Sequence, residues 1–80
     1  MELQENLVPT QKLAKALGVS PATVNYYTNM GLFKIARRRG NIRLYDTRAT
    51  TAIFDKIQLL RSEGYSLRLI QQKFEKGYTI

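Results

Sequence analysis

Eighty residues with no cysteine and no histidine exclude a disulfide framework, the usual zinc sites and histidine-based acid–base catalysis. Thirteen basic against six acidic side chains leave a net charge of +7, which favours a polyanionic partner and places nucleic acid ahead of a membrane surface. No window approaches eighteen apolar residues, and MELQENLVPT at the start has no long apolar run, so neither a membrane span nor a secretory signal is expected.

With 44 % apolar residues the chain can build one small domain with a modest core, expected to be soluble and cytoplasmic. Met1 to Pro9 reads as a loose or strand-like lead-in, in which Leu7 and Val8 can pair with or pack on the rest. Thr10 is the expected N-cap of a first helix running to about Leu17, with Leu13, Ala14 and Leu17 on its apolar face. Ala14, Gly18 and Val24 then fall where two closely crossing helices need a small residue, a turn residue tolerant of positive φ and an inward apolar contact. Ser20-Pro21 supplies a cap followed by proline at the first helical position. The second helix is predicted to end near Met30, terminated by Gly31. An ordinary helical hairpin has the same local pattern; the residues that follow favour a DNA-reading helix-turn-helix.

Leu32 to Ile35 and Asn41 to Tyr45 read as two short strands, with Ala36-Arg37-Arg38-Arg39-Gly40 as a basic tip and Gly40-Asn41 as its turn. Asp46 or Thr47 caps a third helix whose stripe is Ala49, Ala52, Ile53, Ile57 and Leu60, with Lys56 at the edge and Gly64 at the end. Ser66 caps a last helix from Leu67 to about Lys76, apolar at Leu67, Ile70 and Phe74 and stopped by Gly77. The expected fold is mainly α with a small β-hairpin, in the order helix, helix, hairpin, helix, helix. Its parts are 10–30, 32–45, 47–63 and 67–76 of a single domain, 1–80.

Lys34, Arg37, Arg38, Arg39, Arg43 and Arg48 lie within fifteen residues and are opposed only by Asp46, which puts +5 of the +7 in and beside the hairpin. Arginine suits the negative potential of a narrow minor groove and grips phosphate with a planar fork. A solvated charged loop is the bland alternative. A membrane surface fits less well, since no apolar wedge accompanies the charge. The second helix offers Ser20, Thr23, Asn25, Tyr26 and Tyr27, whose hydroxyls and amide can reach phosphates and base edges. Asn25 suits adenine, and Thr23 or Ala22 a thymine methyl. Val24 is expected in the core, Tyr26 outside, and Tyr27 is divided between core and phosphate contact.

GVSPATVNYYTNMGL, the element Arg43-Leu44-Tyr45 and the turn Gly64-Tyr65-Ser66-Leu67 occur in an order and spacing that resembles the DNA-binding domain of the MerR family of bacterial transcription regulators. The resemblance covers residues 8–76. It implies a winged helix-turn-helix fold and operator binding to double-stranded DNA, with the second helix in the major groove and the wing on the flanking backbone or minor groove. By matching position it makes Tyr26, Tyr27, Arg43 and Tyr45 DNA contacts. The chain departs from the family pattern at Asn25, where an arginine is usual, at Thr28, where an acidic residue is usual, and at Ile42, where a tyrosine is usual. These departures bear on which operator is read.

Family members continue into a dimerisation helix and an effector domain. This chain, ending at Ile80, is expected to be an isolated DNA-binding domain or a naturally short member, monomeric when free, pairing on DNA and residing on the nucleoid. No effector site, metal site or cofactor is expected. Asp55 and Glu63 read as solvated positions, and no catalytic constellation can be assembled. Two other readings remain: an excisionase-like architectural protein that bends DNA, and a protein- or RNA-binding helical module.

Overall fold

A computed structural model describes residues 7–76, arranged as β1 (Leu7–Pro9), α1 (Thr10–Leu17), α2 (Pro21–Asn29), β2 (Arg37–Arg39), β3 (Ile42–Asp46), α3 (Thr47–Ser62) and α4 (Leu67–Glu75). This is the mainly helical winged helix-turn-helix that the sequence leads one to expect. The lead-in before Leu7 and the stop assigned to Gly77 lie outside the described residues.

Three helices start on side-chain caps. The Ser20 hydroxyl accepts from the Thr23 N–H at 3.1 Å, the Asp46 carboxylate from Ala49 at 3.0 Å, and the Ser66 hydroxyl from Leu69 at 3.1 Å. α1 begins differently: Pro9 is its N-cap and Thr10 its first helical residue, with no side-chain cap bond. At its other end Gly18 adopts φ 77°, and its N–H reaches the Lys15 carbonyl while that of Val19 reaches Ala14 at 3.0 Å. This pair of bonds turns the chain sharply into α2 and needs the left-handed conformation that glycine adopts without strain. The same bond pair closes α2, from Gly31 to Thr28 and Leu32 to Tyr27, and α3, from Gly64 to Arg61 and Tyr65 to Leu60.

The sheet is antiparallel in the order β1-β3-β2. Leu7 pairs with Asp46 and Val8 with Tyr45, so the lead-in adds a third strand. The hairpin differs from expectation. Its first strand is Arg37–Arg39, not Leu32–Ile35, and the three arginines flank the Gly40-Asn41 tip rather than form it. The reason lies at the end of α2. The N–H groups of Leu32 and Phe33 both bond the Tyr27 carbonyl, and the two side chains are buried in the core, so this stretch has neither the bonds nor the exposure of a strand.

Leu13, Ala14, Val24, Tyr27, Leu32, Phe33, Tyr45, Ile57, Leu60 and Ile70 form the core, which packs the helix-turn-helix onto α3 and α4. Phe33 meets Tyr27 edge-on at 5.2 Å between centroids, and Phe54 closes the group at 6.4 Å from each ring. The buried face of α3 is rotated from the predicted stripe. Thr50, Ile57 and Leu60 are buried with Ile53 and Phe54 beside them, whereas Ala49 and Ala52 are exposed. Burying Phe54 removes far more apolar surface from water than burying an alanine, so the larger residues set the rotation. Gln71 of α4 donates to the Met30 carbonyl at 2.8 Å, tying the last helix to the end of α2.

Candidate nucleic-acid interface

α2 is a nine-residue helix, and its two faces have separate tasks. Val24 and Tyr27, three residues apart, turn inward; Asn25, Tyr26 and Asn29 turn outward. The tyrosine pair is therefore divided: Tyr26 is 55 % exposed, whereas Tyr27 is 5 % exposed and packed on Phe33. Ser20 and Thr23 sit at the start of the helix with their hydroxyls 3.0 Å apart. Ser20 is exposed and Thr23 half-buried.

Tyr45 of β3 is fully buried and does not reach the surface. Its hydroxyl lies 2.8 Å from the Thr28 hydroxyl, which in turn donates to the Val24 carbonyl at 2.8 Å. The carbonyl can only accept, so the single Thr28 hydroxyl hydrogen goes to it, and Tyr45 must donate to Thr28. This relay pins the second wing strand to the middle of α2. Tyr45→Phe is expected to cost about 1 kcal/mol of stability, the usual net worth of such a bond, read as a lower denaturant midpoint at unchanged slope. An unchanged midpoint would show that the relay holds nothing.

The remaining basic residues surround this joint. Lys34 is exposed ahead of β2, Arg37, Arg38 and Arg39 are exposed along it, and Arg43 is half-buried on β3. Arg38 and Arg43 are direct cross-strand partners, a like-charge pairing that destabilises a hairpin unless an anion lies against it. Among the described residues no carboxylate pairs with Arg37, Arg38 or Arg39. The Asp46 carboxylate holds the start of α3. Arg43 instead reaches across to α2, where its Nη1 donates to the Asn25 side-chain carbonyl at 3.4 Å.

Helix and wing enclose an open groove of about 600 Å³, lined by Pro9, Thr10 and Gln11 at the start of α1, Asn25 and Asn29 on α2, and Asn41, Ile42 and Arg43 in the wing. Of the DNA-contact residues expected from the sequence, Asn25 and Arg43 meet in this groove. Tyr27 and Tyr45 lie in the core behind it. The groove adds Gln11, Asn29 and Asn41, which the sequence pattern does not mark as site residues. Asn29 was within reach of a sequence argument, since it stands one turn after Asn25 on the same helix face. Gln11 was not, because only the β1–β3 pairing brings the start of α1 beside the wing.

No helix among the described residues is long and apolar enough to cross a membrane. Residues 9–77 match a family described as MerR HTH family regulatory protein. No curated protein and no solved structure matches the chain.

Proposed function

Since the chain belongs to the MerR family of helix-turn-helix regulatory proteins, we propose that it is a sequence-specific double-stranded DNA-binding protein acting in bacterial transcription regulation. α2 enters the major groove with Arg43 beside it, and Arg37, Arg38 and Arg39 lie along the flanking backbone or minor groove. The observation that supports this best is the groove itself. It joins the outward amides of α2 to the wing, beside Arg37, Arg38 and Arg39, which have no carboxylate partner among the described residues. Nine helical residues extend roughly 13 Å, about four base-pair steps, so one domain reads a short half-site.

In this reading Asn25 and Tyr26 face the bases, with Ser20 and Thr23 at the phosphates beside the helix start. Lys34, Arg37, Arg38, Arg39 and Arg43 supply electrostatic attraction. Tyr27 and Tyr45 act from behind, holding α2 and β3 in one arrangement, and touch no DNA. A protein with this role works in the cytoplasm, on the nucleoid, and two copies pair on an operator.

Selection of bound duplexes from a random DNA pool at near-physiological salt tests the proposal. An enriched inverted repeat is the expected result, and its half-site spacing reports how two copies pair. Tandem repeats would indicate an architectural, excisionase-like role. Salt-sensitive retention without enrichment would reduce the protein to a backbone binder, and no retention would reject DNA binding.

A further inference from the structure

We propose that Asn25 and Arg43 form one reading unit for guanine, in which Arg43 decides which base edge the Asn25 amide accepts. This rests on the DNA-binding reading above and goes on to name the base. A guanidinium has only donors, so the group that Asn25 turns to Arg43 must be its carbonyl oxygen, with the amide N–H groups directed elsewhere. An unencumbered asparagine reads adenine with both ends, donating to N7 and accepting from the N6 amine. Here the carbonyl already accepts from a cation 3.4 Å away. An adenine amine approaching the same oxygen would bring its positive hydrogens against that cation, and Arg38 stands directly across the hairpin as a second positive charge.

Guanine presents the opposite pattern. Its major-groove edge carries two acceptors, N7 and O6, and no donor. The Asn25 amide and the remaining Arg43 N–H groups together offer donors only, in a groove that both residues line. Arg43 is thus a positioning residue for Asn25 as well as a cation, and discrimination against adenine is expected to be about 5- to 150-fold, the range for one well-made base contact.

The test repeats the duplex selection with the full chain as wild type, Asn25→Ala, Arg43→Ala and Arg43→Lys. The wild type should enrich guanine at one half-site position, and Asn25→Ala should lose preference there alone. Arg43→Ala should move that position toward adenine, since the carbonyl is released, and Arg43→Lys should keep guanine because the cation remains. If the Asn25-dependent position is adenine in the wild type, or if Arg43→Ala weakens all sequences equally and leaves guanine preferred, the unit does not exist and Arg43 is a phosphate contact. A wild-type consensus with no position sensitive to Asn25 likewise overturns the unit and leaves DNA recognition standing. A wild type that enriches nothing removes both.

Discussion

Replacing Arg37, Arg38 and Arg39 together by alanine is expected to remove most of the salt dependence of DNA binding while leaving the preferred sequence in place. Each phosphate neutralised contributes roughly −0.9 to the slope of log K against log salt. With Lys34, Arg37, Arg38 and Arg39 on phosphates, the wild-type slope is about −3.6, and with Lys34 alone it is about −0.9. A fourfold rise in salt would then weaken the wild type about 150-fold and the triple variant about 3.5-fold. The three arginines are exposed on a short edge strand, so their loss leaves the core and the outward face of α2 intact. Anisotropy titrations of one selected duplex over a series of salt concentrations give both slopes directly. Equal slopes would mean that these arginines face solvent in the complex and that the electrostatic contacts lie elsewhere.

The second large effect concerns stability. Ile57→Ala is expected to destabilise the domain by about 3 kcal/mol, within the range for truncating a buried isoleucine where the surroundings cannot collapse. Ile57 is fully buried in α3, the helix that packs beneath the helix-turn-helix. A domain of eighty residues has about 4–12 kcal/mol in total, so one such change removes a quarter or more of it. At this size the thermal midpoint should fall by roughly 12–24 °C. In a denaturant melt the midpoint should drop at constant slope, and Asn25→Ala, on the exposed face of α2, should leave it in place. A shift for Ile57→Ala below about 0.5 kcal/mol, the size of an ordinary surface substitution, would show that α3 is not sealed onto the core.

The features legible in the sequence were those with a local cause. The caps at Ser20, Asp46 and Ser66 and the stops at Gly18, Gly31 and Gly64 depend on residues within one turn of each other, and the structure has them all. What the sequence hid depends on distant partners. Leu32 and Phe33 look like the start of a strand because both are apolar; only the contact with Tyr27 and the bonds at the end of α2 show that they belong to the core. Arg37 to Arg39 look like a loop because they are charged, yet an edge strand tolerates charge on both faces. Along α3 the alanines blurred the phase, and Thr50 and Phe54 define the inward side.

In the candidate site, the division of the tyrosine pair follows from helical geometry, since Val24 and Tyr27 share a face that Tyr26 cannot. Strand alternation gave no comparable guide to Tyr45, because Leu44 and Tyr45 are both buried. The joint between Asn25 and Arg43 spans eighteen residues of chain and is set by how β3 docks on α2, which no local pattern records.

The strand order β1-β3-β2 also bears on how the protein behaves at high concentration. Among the described residues the sheet ends in two edge strands, β1 and β2, and an uncovered edge strand is a template for pairing with another molecule. Along one side runs Arg37-Arg38-Arg39, so two copies approaching there meet six positive charges, three from each. Along the other runs a three-residue strand that ends in Pro9, whose nitrogen carries no hydrogen to donate. The same exposed arginines thus also oppose the addition of one copy to another strand by strand. Loss of that mutual repulsion, by substitution or in concentrated salt, exposes the protein to self-association through its own wing.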